Sequence, residues 1–448
     1  MKVHFIGIGG IGVSSLAQYY LATGWKVSGS DAARSEITDD LKKRGVRVFI
    51  SPGLTRLGRV GLVIHSAAIK PDHPEILEAK KLGIKTQLYS EAVGELTKKY
   101  YTIAVAGSHG KSTTTALIGL ILVEVGLDPT IIIGTKLREL EGPPFQEGRS
   151  FSGGNNFRLG QNRYLVLEAD EYARSFHNYF PKIAVLTNID KEHLDIYKNL
   201  NGVIKSFRTF FRNVSADGYI IANSQDSNTR LALKSQIPST KSQTNPKSQI
   251  QNPKIIYYQQ GSHRLLVPGI HNQFNAEAAW QAVKLLGIKK SVADKVFKSY
   301  SGAWRRLEKL KIKNEKVKSI VYSDYAHHPT EIKATLQALR EKYQKKKIVC
   351  VFQPHQQDRL NRLFKEFTTA FDGADKTILY PLYKVKGRDT VGKTSEDLAK
   401  TINKPNVFYA PSFKKVLKLL ANGLDSDSLI VFMSAGDLDA LARKQFLN

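Results

Sequence analysis

A glycine-rich loop between an apolar run and a helix-like segment constrains this chain most strongly. Residues 101–105 are mostly apolar and β-like, the loop AGSHGKST occupies 106–113, and residues 114–122 are again mostly apolar. A strand, a glycine loop and a helix in this order direct backbone N–H groups and a helix N-terminus at a phosphate. Lys111 is expected to reach the terminal phosphates, and the Ser112 hydroxyl to hold Mg²⁺. The segment therefore predicts an ATP site.

The loop is shorter than the usual phosphate-binding loop. The usual pattern has a glycine about six positions before the lysine. This chain has Val105 there, and its glycine stands at Gly107 instead. Such compressed spacing is typical of only a few ATP-using families.

Composition excludes several classes of protein. Among 448 residues there is one cysteine, Cys350, so a disulfide framework and a thiolate metal site are excluded. No run approaches the roughly 18 apolar residues of a membrane helix, and the start of the chain reads as a strand, which predicts a cytoplasmic protein. The net charge of +27 would suit nucleic acid, an acidic membrane or anionic substrates. Because the lysines are spread along the chain, we expect a solvated basic surface.

The order of strand-like and helix-like segments predicts an α/β fold with three domains. The expected domains are a Rossmann-like domain at 1–97, a central P-loop ATPase domain at 98–300, and a Rossmann-like C-terminal domain at 301–448. Residues 234–254 contain three Lys-Ser-Gln copies and no acid, which indicates an exposed, flexible insertion. Strands are predicted at 3–8, 26–31, 47–50, 62–66, 101–105, 163–168, 183–187, 319–322, 347–352, 377–380 and 429–433.

A second glycine motif stands near the start of the chain. Residues 7–12 read GIGGIG, between a strand and a helix, and Asp31 lies 19 residues after Gly12. This context favours a Rossmann-like phosphate site with an acid near a ribose. The motif alone fits NAD, FAD or a UDP-sugar, and glycines used only for packing are the alternative.

A group of acids ends a strand in the central domain. Glu168, Asp170 and Glu171 follow an apolar run, and His193 lies 25 residues after Glu168. Carboxylates at a strand end near a phosphate loop suit Mg²⁺, which prefers oxygen ligands. Solvated acids and a core histidine are the alternative.

Three further segments carry candidate side chains. Asn272 and Asn275 could pair with an adenine edge, although Asn275 could equally cap a helix over 276–286. Arg306 could neutralise phosphate charge in a transition state, or form a surface ion pair. His327 and His328 suggest a metal site, but the sequence offers no second histidine or cysteine cluster nearby.

Together these motifs resemble the Mur ligase family, the ATP-dependent amide-forming enzymes of peptidoglycan assembly. The resemblance covers nearly the whole chain outside 234–254. The motifs that carry it are, in chain order, the compressed loop, Glu168, His193, His-Asn-x-x-Asn at 271–275, Arg306 and Asp-Tyr-Ala-His at 324–327.

Within the family, three segments are most similar to the member that joins L-alanine to UDP-N-acetylmuramate. They are HFIGIGGIG at 4–12, HHPTEI at 327–332 and FQPH at 352–355. The member that joins a ready-made peptide to the same sugar nucleotide is the alternative. Related enzymes carry two arginines after Gln-Pro-His, whereas this chain has Gln356 at the first position and retains Arg359.

The resemblance implies a UDP-sugar-binding domain at 1–97 and an amino-acid and ligase domain at 301–448. It also implies a reaction through an acyl phosphate, with ATP and Mg²⁺ as cofactors and UDP-N-acetylmuramate and L-alanine as partners. It also implies no nucleic acid partner, no membrane insertion, and a monomer or homodimer. The implied catalytic residues are Lys111, Glu168, His193 and Arg306, and the implied metal ligands are Ser112, Glu168 and His193. The implied ATP contacts are Gly107, Ser108, His109, Gly110, Lys111, Ser112, Thr113, Asn272, Asn275, Arg306 and Asp324. The implied substrate contacts are Gly9, Gly12, Asp31, Ser66, Asn156, Arg158, His327, His328 and Arg359.

Two other classes stay open at this stage. An NAD-dependent dehydrogenase would use the first glycine motif but would leave the ATP loop without a purpose. A nucleic-acid-dependent ATPase would fit the calculated pI of about 9.8, although no basic-aromatic binding motif supports it. A pure binding module would leave Lys111, Ser112 and Glu168 unexplained.

Overall fold

The N-terminal sheet is parallel and has five strands. The structure is a computed structural model, and it describes residues 1–50, 57–140, 155–234, 252–312, 319–384, 391–421 and 428–447. Its strand order is β3-β2-β1-β4-β5. The strands are β1 Lys2–Ile6, β2 Lys26–Asp31, β3 Arg47–Ile50, β4 Leu62–His65 and β5 Lys85–Leu88, and the helices are α1 Ile11–Ala22, α2 Glu36–Lys43, α3 Pro74–Lys81 and α4 Tyr89–Thr97. The order reverses between β1 and β4, and the glycine motif leaves the carboxyl end of β1 at that point. In open α/β sheets ligands bind at such a switch point.

The middle sheet has seven strands, and β6, which leads into the phosphate loop, lies inside it. The order is β12-β11-β10-β6-β9-β7-β8, and β8 alone pairs antiparallel. The strands are β6 Tyr101–Ala106, β7 Thr130–Ile132, β8 Phe157–Arg158, β9 Tyr164–Glu168, β10 Ile183–Leu186, β11 Tyr219–Asn223 and β12 Lys254–Tyr258. The helices are α5 Lys111–Glu124, α6 Leu194–Tyr197, α7 Leu200–Phe211, α8 Ser227–Leu233, α9 Ile270–Lys284 and α10 Lys290–Ser299, with 3₁₀ turns at Arg138–Leu140 and Tyr172–Asn178. Ile103, Val105, Leu165 and Val185 are fully buried, as expected for parallel strands covered on both faces.

The C-terminal sheet has six strands in the order β13-β14-β18-β15-β16-β17, with β13 antiparallel to β14. The strands are β13 Glu308–Lys309, β14 Ile320–Asp324, β15 Lys347–Gln353, β16 Lys376–Leu379, β17 Val407–Tyr409 and β18 Ser428–Ser434. The helices are α11 Pro329–Lys342, α12 Gln357–Arg362, α13 Phe364–Phe367, α14 Ser395–Ile402, α15 Phe413–Ala421 and α16 Leu438–Leu447. Its core includes Val321, Val351, Ile378, Ile430 and Phe432. Cys350 is buried in β15, as the sequence indicates.

Three α/β sheets confirm the predicted fold class. The contacts divide the chain into two compact units. The first unit comprises Met1–Glu192, Asn199–Arg264 and Phe274–Lys298, and the second comprises His193–Lys198, Leu265–Gln273 and Ser299–Asn448. The domain limits predicted at 97 and 300 stay predictions. In the described ranges, no helix is long and apolar enough to cross a membrane.

One helix starts earlier than predicted. The alanine-rich pattern predicts a helix from residue 276, but α9 begins at Ile270. Both candidate asparagines therefore lie inside it, and Asn275 is not its N-cap. Gly269 has a φ of 107°, a backbone conformation that favours glycine and places the start of the helix directly after it. The predicted insertion at 234–254 lies outside the described residues except for Lys234 and 252–254.

Candidate functional site

The phosphate loop connects β6 to α5 and depends on two glycines. Gly107 has a φ of 136° and Gly110 a φ of 84°. A Cβ on Gly107 would overlap the Thr187 hydroxyl, and a Cβ on Gly110 would overlap the Asn275 side-chain oxygen. A side chain at either glycine would therefore force its neighbours to shift, and Asn275 lies directly against the loop.

The segment after β10 holds the loop in shape, which the sequence analysis missed. The Asn188 carbonyl oxygen accepts the Ser108 N–H (3.0 Å), and its side-chain oxygen accepts the His109 N–H (3.0 Å). Asp190 lies 3.0 Å from the His109 ring. Two of the N–H groups expected to cradle phosphate are therefore bonded to Asn188. A phosphate would meet the N–H groups at the start of α5, where Thr114 makes the first helical bond back to Gly110.

Lys111 points back across its own loop. Its ammonium donates to the Gly107 carbonyl oxygen (2.7 Å) and to the Glu171 carboxylate (2.8 Å). Burial lowers the Lys111 pKa, but the carboxylates of Glu171 and Asp170 outweigh that effect and the net shift is upward. Lys111 therefore stays charged, as a group that binds phosphate must.

Glu168 and Ser112 form an oxygen pair at the base of the loop. The Ser112 hydroxyl donates to Glu168 (2.9 Å), whose other oxygen accepts the Gly134 N–H (2.8 Å). Burial raises the Glu168 pKa, against the opposing effects of Lys111 and these two bonds. A hydroxyl and a carboxylate side by side, next to a phosphate loop, fit the oxygen ligands that Mg²⁺ prefers.

Of the remaining candidates for the ATP site, Thr113 lies in the first unit, whereas His193 and Asn272 lie in the second. Thr113 lies in the first turn of α5 with Lys111 and Ser112. His193 precedes α6 in the second unit with a left-handed backbone, at φ 53°. Asn272 is also in the second unit, where its amide donates to the Pro268 carbonyl oxygen (2.7 Å).

At the N-terminal sheet, Asp31 forms a hydrogen bond to the first glycine loop, at residues 7–12. Its carboxylate accepts the Gly9 N–H (2.8 Å), and a Cβ on Gly9 would lie 2.9 Å from the same oxygen. Ser66 follows β4 and lies against Gly7 on the other side of the switch point, where a Cβ on Gly7 would come within 3.3 Å of it. Asp31 and Ser66 therefore both contact the first glycine loop, which contains Gly9.

Tyr89 is a candidate that the sequence analysis missed. It is the first residue of α4, and a Cβ on Gly12 would lie 3.0 Å from its hydroxyl oxygen. Burial raises the Tyr89 pKa, and the charges of Asp170 and Glu168 raise it further. The phenol therefore stays protonated between the glycine loop and the acids of the middle sheet. No local motif marks it, because the contact joins residues far apart in sequence.

Asn156 and Arg158 are bonded within the protein. The Asn156 amide donates to the Ile11 carbonyl oxygen (2.8 Å) and to the Ser14 hydroxyl (2.9 Å) in α1. Arg158 donates to the Pro129 carbonyl oxygen (2.7 Å) and pairs with Asp128. Neither side chain contacts the phosphate loop in the described contacts.

In the second unit, Asp324 directly precedes Tyr325, and Arg306 lies near the Tyr325 ring. The Asp324 carboxylate accepts the N–H groups of Leu307 (2.6 Å) and Ala326 (2.8 Å). Burial raises the Asp324 pKa to about 6. The Arg306 guanidinium lies 5.2 Å from the centre of the Tyr325 ring and 3.4 Å from Glu331, whereas Arg305 is buried. Of the two arginines, Arg306 is the more accessible.

The remaining candidates of this unit lie at the carboxyl ends of β14 and β15. The His327 ring is 2.8 Å from the Tyr325 carbonyl oxygen and 6.2 Å, centre to centre, from the His355 ring. His328 caps α11 by accepting the Thr330 N–H, which gives its buried ring a structural role. Arg359 is buried and donates to the His355 carbonyl oxygen (3.3 Å).

Three family descriptions match consecutive parts of the chain. "Mur ligase family, catalytic domain" matches residues 2–101, "Mur ligase middle domain" matches 105–283, and "Mur ligase, glutamate ligase domain" matches 305–436. The chain is similar to the UDP-N-acetylmuramate–L-alanine ligase of Aquifex aeolicus, at 37% identity over 98% of this chain and 95% of that one. The enzyme of the same name from Acetivibrio thermocellus is 38% identical over 97% and 93%.

A solved structure supports the fold. The UDP-N-acetylmuramate-alanine ligase MurC of Thermotoga maritima superimposes with a TM-score of 0.77 at 24% identity, covering 99% of this chain and 98% of that chain. The murein peptide ligase Mpl of Psychrobacter arcticus gives 0.67 at 22% identity over the same shares. At these identities the likeness concerns the fold alone, whereas the full-length relatives establish descent. The resemblance predicted from the motifs is confirmed, and the chain belongs to the Mur ligase family.

Proposed function

We propose that the chain is an ATP-dependent ligase that joins the amino group of L-alanine to the lactyl carboxylate of UDP-N-acetylmuramate, in peptidoglycan precursor synthesis. The observation that carries this proposal is similarity at 37–38% identity, over nearly the whole chain, to relatives that bear that activity as their name. The Lys111, Ser112 and Glu168 cluster supplies a matching ATP site.

The first step activates a carboxylate that does not otherwise react with amines. ATP phosphorylates the lactyl carboxylate, giving an acyl phosphate and ADP. The charged Lys111 and the N-terminus of α5 stabilise negative charge on the transferred group. Ser112 and Glu168 would hold Mg²⁺ and His193 a second ion, whose chemistry when bound is to neutralise phosphate charge. We assign Asn275, which lies against Gly110, to the nucleotide.

The second step forms the amide. The amine of L-alanine attacks the acyl carbonyl carbon, phosphate leaves, and the nitrogen loses a proton. The amine must be neutral, and the site must exclude water because water would hydrolyse the acyl phosphate. We assign Arg306 to phosphate charge, Asp324 to the ribose, and His327 with Arg359 to the amino acid end. The reaction is assigned to the cytoplasm.

The decisive experiment is a substrate panel. ADP release is measured with UDP-N-acetylmuramate and each of L-alanine, glycine, L-serine and an L-alanyl tripeptide. We expect L-alanine to give the highest kcat/KM, and preference for the tripeptide would instead assign the peptide-joining activity. Lys111→Ala is expected to lower turnover by about 10²- to 10³-fold, while Lys81→Ala, on an exposed helix end, serves as its control.

A further inference from the structure

Asn156 links the middle sheet to the helix that follows the first glycine loop. It is 3% exposed and directly precedes β8. Its nitrogen donates to the Ile11 carbonyl oxygen and the Ser14 hydroxyl, and its oxygen accepts from the Gln18 amide (2.8 Å). Both polar atoms of the side chain are thus committed to α1. An asparagine so occupied has little capacity left for a substrate.

The partners of Asn156 occupy the part of α1 that matters for ligand binding. Ile11 and Ser14 form the first turn, immediately after the glycine loop, and Gln18 stands one turn later on the same face. Ser14 and Gln18 are themselves buried, so water does not replace these bonds readily. Fixing this turn fixes the direction of the helix N-terminus that a diphosphate would meet.

The backbone of the same segment continues toward the ATP site. The Asn156 carbonyl oxygen accepts the Ile133 N–H (3.3 Å), and the next N–H, that of Gly134, donates to Glu168 (2.8 Å). Glu168 in turn accepts the Ser112 hydroxyl. Three hydrogen-bonded steps, through Asn156 and the Ile133–Gly134 peptide unit, therefore connect the glycine-loop helix to the carboxylate beside the phosphate loop.

We propose that Asn156 is a positioning residue that sets the glycine loop of the first domain at a fixed distance from the phosphate loop. The inference rests on the proposed function, because it takes the first loop to hold the sugar nucleotide. Phosphoryl transfer to the lactyl carboxylate needs the reacting atoms about 3–3.5 Å apart. The residue acts through α1 and not by touching substrate.

Three variants separate the contributions of the hydrogen bonds between Asn156 and α1. Asn156→Asp keeps the shape and the acceptor for Gln18 but removes both donors to α1. Gln18→Ala leaves Asn156 in place and removes its third bond. Asn162→Asp makes the same chemical change at an exposed position of the same segment, and is the matched control.

Steady-state kinetics provide the main readout. We expect Asn156→Asp to raise KM for UDP-N-acetylmuramate about tenfold, since buried donors and acceptors lose partners, while KM for ATP changes less than about twofold. Gln18→Ala should reproduce part of the effect, about threefold, and Asn162→Asp none. A raised KM in Asn156→Asp with no change in Gln18→Ala would indicate direct substrate contact and overturn the proposal. A lowered melting temperature with kcat and both KM values unchanged would indicate a merely structural role and also overturn it.

Hydrogen exchange separates this proposal from the proposed function. Wild-type turnover with UDP-N-acetylmuramate and L-alanine tests the function alone. Exchange of backbone amides at 11–18, without any ligand, tests the link to α1. Asn156→Asp should accelerate it about tenfold relative to wild type and to Asn162→Asp, and equal rates in all three proteins would refute the link whatever the substrate.

Discussion

The Lys111 ammonium lies 2.8 Å from the Glu171 carboxylate and is held by it over the phosphate loop. Glu171 is 1% exposed, so the pair is shielded from solvent. A triphosphate arriving at the loop would compete with this carboxylate for the same cation. The ion pair thus keeps the lysine charged and oriented before nucleotide binds, at some cost in affinity.

Removing the charge of Glu171 should therefore strengthen binding of the nucleotide. We expect Glu171→Gln to lower the Kd for metal-free ATP about five- to tenfold, because a charge-assisted bond no longer competes for Lys111. Titration calorimetry measures the Kd. Glu124→Gln, at the far end of α5, is the control, and weaker binding in Glu171→Gln would contradict this account.

The contact between Gly110 and Asn275 makes a second prediction. Gly110→Ala should weaken ATP binding and lower stability, because a left-handed residue with a side chain costs about 1–2 kcal/mol and its Cβ would overlap Asn275. The double variant Gly110→Ala with Asn275→Ala should regain part of the melting temperature, since only the overlap is relieved. Differential scanning calorimetry of both proteins and of Asn275→Ala alone decides this. No recovery would mean that backbone strain accounts for the whole loss.

Gly12 and Tyr89 provide a third test, at the first glycine loop. A Cβ at position 12 would lie 3.0 Å from the Tyr89 hydroxyl oxygen, too close without a shift of a few tenths of an ångström. Gly12→Ala should therefore raise KM for UDP-N-acetylmuramate, and Tyr89→Phe in the same protein should lower it again, because the oxygen is gone. Tyr257→Phe, at an exposed tyrosine, should not rescue. Additive KM effects of the two substitutions would argue against the contact.

Asp324 makes stability depend on pH. Its pKa is about 6 in the folded protein because it is buried, above the usual carboxyl value near 4. Between about pH 4 and pH 6 the Asp324 carboxyl is therefore protonated in the folded state but ionised in the unfolded state. Its contribution to the free energy of unfolding is complete below about pH 4 and is lost as pH rises through 6. The free energy of unfolding should fall by up to about 1.4 kcal/mol per pH unit there. Urea denaturation of wild type and Asp324→Asn measures the slope, which the variant should lack.

Much of the fold follows from local sequence. The sequence predicts strands at 26–31 and 47–50, and these are β2 and β3 with the same limits. The second is a short apolar run, whereas the first contains only one apolar side chain, Val27, and leads into a polar turn. The phosphate loop and its helix likewise follow from glycines next to a lysine. In contrast, the two-residue strands β8 and β13 have no periodicity to read and exist only through pairing with β7 and β14.

The candidate site was predictable where motifs are local. Lys111, Ser112 and Glu168 come together in the structure, although 56 residues separate the hydroxyl from the carboxylate. Asn188 was missed because a residue after a strand shows no sign of the loop it will bond. Tyr89 was missed for the same reason, and the role of His328 as a helix cap was hidden by its place in a histidine pair. The Ser112–Glu168 pair was predictable because each residue belongs to a motif of its own, whereas Asn188 and Tyr89 belong to none.

Ala173 and Arg174, which lie two and three residues after Glu171, have a left-handed backbone although neither is glycine. Their φ values are 51° and 58°. Each such residue costs about 1 kcal/mol or more. Glycine at 173 would relieve part of that cost and make the protein more resistant to heat. The Arg174 N–H donates to the Glu171 carbonyl oxygen (3.0 Å), so the strained residues belong to the same turn as the carboxylate that holds Lys111.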